Sequence, residues 1–374
     1  MIKYSIITAF SLGALVVAFA VGIAVGRWEL PPFQQMWQAY RYFNPYVQSS
    51  VAEFTVDTAE ISEGFEDVRQ NAGALRDHLI DRVILPEDYV RFTSRDIADG
   101  KQELSAEFYG IKSTAFLMRT RQPDPDCLQV YIQGHGGEPI YFDYHNELVE
   151  LSNQRGCDFL SMSMFGIGLN SGWMTFPTGK YRTQSSSLTG SRHGNIALYY
   201  DKDLPQVDPL ALMLTAQYYM VRQIMDDYED VTIMGISGGG WYVVWLAALI
   251  EDIDNAIVYA GSLPLAYRST GAFFGDHEEY ASPIYRTVDY WQLYLLGSLR
   301  EDGRTDRNYY MVFNNLDPCC FMEPSASHFK GIAEQIYPDN VAVKIDENKQ
   351  HAMRVPVIEE IWREIEERKD SRSQ

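Results

Sequence analysis

Positive charge is scarce in this chain. Against 51 aspartates and glutamates stand 31 lysines and arginines, a formal net charge of -20 over 374 residues. A surface of that sign repels phosphate backbones and argues against a nucleic-acid partner. The acidic residues are scattered, apart from a mixed cluster near the end, EEIWREIEERKD, which reads as a solvated helix face. Cysteine is sparse, at four residues, and no C-x-x-C or H-E-x-x-H spacing occurs, so neither metal nor cofactor is expected. No internal repeat or low-complexity tract breaks up the sequence. An apolar content of 46% in a chain of 374 residues suits one large globular domain or two ordinary ones.

Near the N-terminus charge is missing altogether. YSIITAFSLGALVVAFAVGIAVG, Tyr4 to Gly26, contains no charged residue. At about 1.5 Å per residue such a helix crosses a hydrocarbon core of roughly 30 Å. Ala18 and Ala20 offer an A-x-A-like cleavage site, but the apolar run is longer than that of most signal peptides, so an uncleaved anchor is expected. Lys3 lies on one side of the run and Arg27 and Arg41, offset by Glu29, on the other. This weak bias leans toward an extracytoplasmic location for the bulk of the chain. The expected segments are a transmembrane or signal anchor over 1–30, a juxtamembrane and helical segment over 31–87, and an α/β domain over 88–374.

Residues Thr58 to Asp81 read as helical, and KQELSAEFYG and IKSTAFLMRT as two strands around Gly110. From Cys127 onward strand-like and helix-like runs alternate. The strands expected are Leu128–Gln133, Asp158–Met164, Val231–Ile236, Ala256–Ala260, Tyr309–Phe313 and Val341–Ile345, with helices over Pro209–Tyr228 and Gly240–Ile250 among those between. Such alternation implies a mostly parallel sheet with helices on both faces. Two long segments, 165–207 and 262–307, interrupt it; both follow strand ends, where open α/β sheets place their sites. Cys127 and Cys157 each precede a strand. If those strands are parallel neighbours, their spacing of about 4.8 Å suits a Cys127–Cys157 disulfide and an oxidising compartment. Cys319 and Cys320 are read as packing, since adjacent cysteines rarely bridge.

One junction carries chemistry. In TIMGISGGGWYVVWLAALI, Gly235-Ile236-Ser237-Gly238-Gly239 matches G-x-S-x-G between a strand and a helix. That context is a nucleophile elbow, which exposes the serine hydroxyl above the sheet. The strand before Gly134-His135-Gly136-Gly137 supplies an oxyanion-hole candidate, pairing the N–H of Gly238 with that of Gly136 or Gly137, while His135 holds the loop. Among seven histidines, His351 has the best position for a base, after the last expected strand, with His328 second. His193 and His277 lie in the insertions, on the substrate side. Asp317, after the penultimate strand, completes the chain order Ser, Asp, His; Asp346 and Asp276 are its rivals. Glu278 and Glu279 read as a solvated loop, with a substrate-facing acid as the alternative.

With GHGG, GISGGGW, LDPCCF and KQHAMR in this order, residues from about 88 to 370 resemble the α/β-hydrolase superfamily. GISGGGW, AGSLPLAYR and DPCCF look like a bacterial branch labelled prolyl-oligopeptidase-like hydrolases, though no propeller domain is seen. The resemblance implies an eight-stranded, mostly parallel sheet of order 1-2-4-3-5-6-7-8, whose third and fourth strands are neighbours. It also implies Ser237, Asp317 and His351 as the triad. The expectation is a membrane-anchored serine hydrolase acting on carboxylic esters of a small molecule, glycan or lipid. The same triad would serve amide or peptide cleavage or acyl transfer, and a non-catalytic binding module on the hydrolase fold is the alternative of another class. The membrane segment and the insertion after Gly166 depart from the simplest members.

Overall fold

In the computed structural model, the described residues are 56–97, 100–170, 172–176, 179–183, 204–267, 276–317, 319–321 and 323–372. Two helices come first, α1 (Thr58–Gln70) and α2 (Ala72–Val83). The single helix expected over this stretch is divided at Asn71, whose backbone N–H closes α1 on the Asp67 carbonyl. Three antiparallel strands follow: β1 (Arg91–Asp96), β2 (Lys101–Phe108) and β3 (Ile111–Met118). Then strands and helices alternate: β4 (Cys127–Gln133), α3 (Asp143–Gln154), β5 (Asp158–Ser163), the hairpin β6 (Gly172–Phe176) and β7 (Gly179–Thr183), α4 (Ala211–Met225), β8 (Asp230–Ile236), α5 (Gly238–Leu249), β9 (Asn255–Tyr259), α6 (Tyr290–Leu296), β10 (Asn308–Asn314), α7 (Ser325–Ile336), β11 (Val341–Asp346) and α8 (Val355–Arg372).

The main sheet has nine strands in the order β1-β2-β3-β5-β4-β8-β9-β10-β11. From β2 onward this is the order 1-2-4-3-5-6-7-8; β1 is an extra strand at the edge, where eight strands were expected. RFTSRD gave no strand signal because it is polar and mostly exposed, and it pairs with β2 alone. β4, β5, β9 and β10 are buried at every position, as strands covered on both faces must be. On one face Leu148 of α3 and Ile358, Ile361, Trp362 and Ile365 of α8 cover the sheet. The opposite face carries the larger core, which includes α4, α5 and α6. α5 is apolar on all sides and buried along its whole length.

α1 and α2 belong to this same core. Phe65, Val68, Ala72, Leu79 and Val83 are buried within it, so the packed domain begins well before residue 88. Buried Arg76 donates from Nε to the Ala248 carbonyl (3.0 Å) and from Nη2 to the Leu299 carbonyl (3.0 Å), at the ends of α5 and α6. A cation there meets the negative ends of two helix dipoles.

Cys127 and Cys157 are joined by a disulfide with their Cα atoms 4.8 Å apart, where β4 and β5 begin. Cys319 and Cys320 are also bonded to each other, which corrects their reading as mere packing; the turn after β10 brings the adjacent sulfurs together. Among the described residues no helix is long and apolar enough to cross a membrane. The anchor expected over Tyr4–Gly26 lies outside them.

Candidate active site

β8 ends at Ile236 and α5 begins at Gly238. Ser237 between them has φ 57° and ψ -131°, a backbone state that costs an L-residue about 1–3 kcal/mol. The surroundings impose it: its N–H donates to the Tyr259 carbonyl of β9 (2.9 Å), and its carbonyl accepts from Trp241 (3.0 Å). The Ser237 side chain makes no capping hydrogen bond, so the serine is not a helix cap. The glycines answer to space. A Cβ on Gly235 would stand 2.4 Å from the Gly239 carbonyl oxygen, and one on Gly239 would stand 2.0 Å from that of Ile132. From Val231 to Ile250 every residue is buried except Ser237, which is partly exposed.

The loop after β4 rests on this elbow. A Cβ on Gly134 would come within 2.7 Å of Ser237 Cβ and 3.1 Å of the Gly238 nitrogen. Gly136 and Gly137 follow in the same loop; Gly136 lies under the Phe142 ring, and Gly137 has φ 127°. Glu138, which sequence reasoning passed over, ties this loop to the end of β5, accepting from Ser163 Oγ (2.8 Å) and from the Leu169 N–H.

His135 is held from the second insertion. Its Nδ1 faces Asp276 Oδ2 (3.3 Å) and its Nε2 faces Glu278 Oε1 (3.1 Å). Glu278 and Glu279 are buried, which overturns their reading as a solvated loop. Two hydroxyls pin their turn: Tyr285 donates to the Glu278 carbonyl (2.8 Å) and Tyr290 to the Glu279 carbonyl (2.9 Å). The Tyr285 oxygen in turn accepts from the indoles of Trp241 (3.0 Å) and Trp245 (3.3 Å), both on α5. Asp276 is thus engaged with His135 and is not the partner of His351.

That partner is Asp317. His351 Nδ1 lies 2.7 Å from Asp317 Oδ2, with the aspartate side chain fully buried. Asp317 Oδ1 accepts from the backbone N–H groups of Cys319 (2.7 Å) and Cys320 (3.3 Å). Asn314, also passed over in the sequence, donates to Asp317 Oδ2 (3.3 Å) and to the carbonyl of Gln350 (3.0 Å). By accepting at Nδ1, Asp317 fixes which ring nitrogen of His351 faces away. His351 Nε2 is buried and makes no hydrogen bond among the described residues. Catalytic hydrogen bonds are often long in free enzymes and tighten with substrate.

The other candidates lie elsewhere. Asp346 accepts from Tyr259 (2.7 Å) and from Arg354 (2.5 Å) at the end of β11. His328, on α7, meets the Tyr267 hydroxyl (2.9 Å). His277 packs on the ring of Tyr280 at 5.7 Å between centroids. His193 lies outside the described residues. Two clusters bring three possible metal-binding atoms within 4.8 Å of one another, Cys319 with Cys320 and His351, and His135 with Asp276 and Glu278. Both consist of groups already bonded or paired as described.

The Ser237 turn after β8, Asp317 after β10 and His351 after β11 all stand at one edge of a sheet of this order. The chain has the α/β-hydrolase fold. No protein-family profile matches it, and no curated protein does either. Among solved structures it is similar to acetyl xylan esterase 1 from Thermoanaerobacterium sp., at 14% identity over 81% of this chain and 98% of that one, with a TM-score of 0.47. It is also similar to a glucuronoyl esterase of carbohydrate esterase family 15 from Caldicellulosiruptor kristjansonii, at 13% identity, 78% and 82% coverage and a TM-score of 0.48. An acetyl xylan esterase from Paenibacillus sp. matches at 16% identity, 86% and 98% coverage and a TM-score of 0.43.

Proposed function

We propose that this α/β-hydrolase-fold protein is a serine hydrolase that cleaves carboxylic esters through Ser237, His351 and Asp317. One observation carries the reading: the strained backbone of Ser237 lifts an uncapped hydroxyl at the edge where Asp317 already holds His351 by Nδ1. In the reaction Ser237 Oγ attacks the ester carbonyl while His351 Nε2 takes its proton. The N–H of Gly238, with that of Gly136 or Gly137, holds the oxyanion. Collapse of the tetrahedral intermediate expels the alcohol, which takes the proton from His351. Water, deprotonated by His351 in turn, releases the acid from the acyl-enzyme. Asp317 keeps the imidazole in the tautomer with hydrogen on Nδ1 and stabilises the imidazolium. No step calls for a metal or cofactor. The substrate proposed is an ester of a small molecule, glycan or lipid.

We also propose that the uncharged run Tyr4–Gly26 anchors the chain in a membrane, with the hydrolase domain on the extracytoplasmic side; that run's length and the Cys127–Cys157 disulfide support this. Labelling of the full chain with a fluorophosphonate tests the chemistry. The parent labels, and Ser237→Ala and His351→Ala do not. A folded parent that stays unlabelled, or a Ser237→Ala variant that labels equally, refutes the triad.

A further inference from the structure

A cleft of about 570 Å³ opens between the loop after β4 and the loop after β11. Sites for small ligands run from roughly 300 to 1,000 Å³. One wall is formed by Tyr141, Phe142 and Tyr144; the other includes Gln350 and Ala352, the chain neighbours of His351. The first wall reaches back to the glycines of the same loop. A Cβ built on Gly136 would stand 2.7 Å from Phe142 Cζ, and one on Gly137 would stand 4.0 Å from Tyr141 Cδ2.

The aromatic wall is fixed in place yet left in water. The turn Pro139–Tyr141 is closed by the N–H of Tyr141 on the Glu138 carbonyl (3.1 Å) and by that of Phe142 on the Pro139 carbonyl (3.1 Å). The Phe142 and Tyr144 rings pack with centroids 5.4 Å apart, and the Tyr144 hydroxyl donates to Gln133 Oε1 (3.0 Å) at the end of β4. Tyr141 is nevertheless 76% exposed. With Ile140 (58%) and Leu169 (57%) it makes up the three most exposed large apolar side chains among the described residues. All three belong together, since the Leu169 N–H donates to Glu138 of this loop. Exposed apolar groups gathered beside a cleft mark a binding surface.

The polar lining narrows what that surface fits. Asp143 and Glu147, one turn apart on α3, line the cleft with Gln350. Among the described residues none of these three side chains makes a hydrogen bond or an ion pair. Arg354 lines the cleft too, but Asp346 already engages it (2.5 Å). The charge left over is negative and repels an anionic ligand. An acyl chain would take water from the carboxylates and the amide and return no hydrogen bond. A pyranose suits both sides. Its C–H face packs on an aromatic ring, and its hydroxyls donate to carboxylates and pair with an amide.

We propose that this cleft is a subsite for a neutral pyranose, with Tyr141 as the stacking platform and Asp143, Glu147 and Gln350 as hydroxyl partners, and that this sugar bears the scissile ester on one of its own hydroxyls. The inference rests on the esterase reading above and names its substrate class. The proton sets which half of the ester lies here. The leaving alcohol has to meet the proton that His351 took from Ser237, and the cleft is walled by the residues on either side of His351. The bond between acyl carbon and sugar oxygen breaks, the sugar oxygen takes that proton, and water then releases the acid from Ser237. Tyr141 and Glu147 select the substrate and exchange no proton with it.

The test uses the full chain in detergent. kcat and KM are measured for acetylated tetrasaccharides of glucose, mannose and xylose, and for vinyl acetate, an ester without a sugar, in the parent, Tyr141→Ala and Glu147→Gln. The unacetylated tetrasaccharides are added to Ser237→Ala protein, with and without Tyr141→Ala, and binding is read by saturation-transfer NMR. The expected result is that at least one tetrasaccharide binds and that Tyr141→Ala abolishes this binding. For its acetylated form KM then rises about tenfold in Tyr141→Ala while kcat stays within about twofold, and Glu147→Gln gives a smaller rise. Vinyl acetate turnover, fluorophosphonate labelling and thermal unfolding stay as in the parent. The proposal is overturned if no tetrasaccharide binds, or if binding survives Tyr141→Ala. It is also overturned by an equal loss on vinyl acetate, which is what a merely structural turn gives. Tributyrin turnover that Tyr141→Ala lowers while the sugar esters are unaffected assigns the patch to a lipid and overturns it as well. A parent that neither labels nor hydrolyses any ester refutes the triad instead, while sugar binding to the Ser237→Ala protein still decides the subsite.

Discussion

Asn314 Nδ2 lies 3.3 Å from Asp317 Oδ2, and the same amide reaches the carbonyls of Gln350 (3.0 Å) and Ala352 (3.3 Å) on either side of His351. One side chain thus spans Asp317 and both neighbours of His351. Asn314→Ala leaves those acceptors buried and lets the two loops part, so kcat is expected to fall about 10–100-fold with little change in KM. Asp317→Asn, which favours the wrong tautomer, is expected to cost about 10⁴ in kcat. Steady-state kinetics on a soluble ester checks both, and an Asn314→Ala variant that changes KM alone contradicts a role in aligning acid and base.

Gly239 admits no side chain. A Cβ there would stand 2.0 Å from the Ile132 carbonyl oxygen and 2.7 Å from its carbon, both backbone atoms of β4. Gly239→Ala must push α5 off the sheet and is expected to destabilise by about 3 kcal/mol or more. Denaturant unfolding reads the loss, and fluorophosphonate labelling should fall with it.

His145 is a core histidine in α3, 2% exposed, with its Nε2 2.9 Å from Ser161 Oγ. Burial lowers its pKa from 6.5 to about 4. Between those values the unfolded chain binds the proton and the folded one does not. Stability from this group is therefore complete above about pH 6.5 and is lost as pH falls toward 4, a drop on the order of 3 kcal/mol. His145→Gln should flatten the pH dependence of unfolding in that window; an unchanged slope assigns the acid sensitivity to other groups.

The Cys127–Cys157 bridge closes a loop with a sequence separation of 30. Loop-closure entropy for that length is about 3–4 kcal/mol. The bridge lies where β4 and β5 begin, and Ser237 lies where β8 ends. Replacing both cysteines by serine should lower stability in urea by up to that amount yet leave fluorophosphonate labelling intact. Peptide mass spectrometry without reductant identifies the cross-link itself.

Much of this architecture was legible because it rests on short-range signals. The apolar runs of β4, β5, β8, β9 and β10 stand out, and the glycines around Ser237 mark a turn whose crowding the structure makes visible. Asp317 and His351 follow the last two strands of the expected sheet, and the structure brings them into contact there. What escaped depends on partners distant in sequence. Glu278 stands among Asp276, His277 and Glu279, a string that looks solvated until Tyr285, Tyr290 and His135 close over it. Asn314 ends a buried strand and shows its use only when the loops after β10 and β11 meet. β1 lacks an apolar face, and α1 and α2 were assigned to a separate segment because their own charge conceals how much of them is buried.

That last point sets where the packed domain can be cut. Arg76 closes on Ala248 across 172 residues of sequence, so the helix that starts after Ser237 is finished by a guanidinium from the N-terminal hairpin. A soluble fragment trimmed to residue 88 would strip that plug and expose the apolar flank it seals. One that starts ahead of Asp57, which caps α1, keeps the scaffold of Ser237 whole.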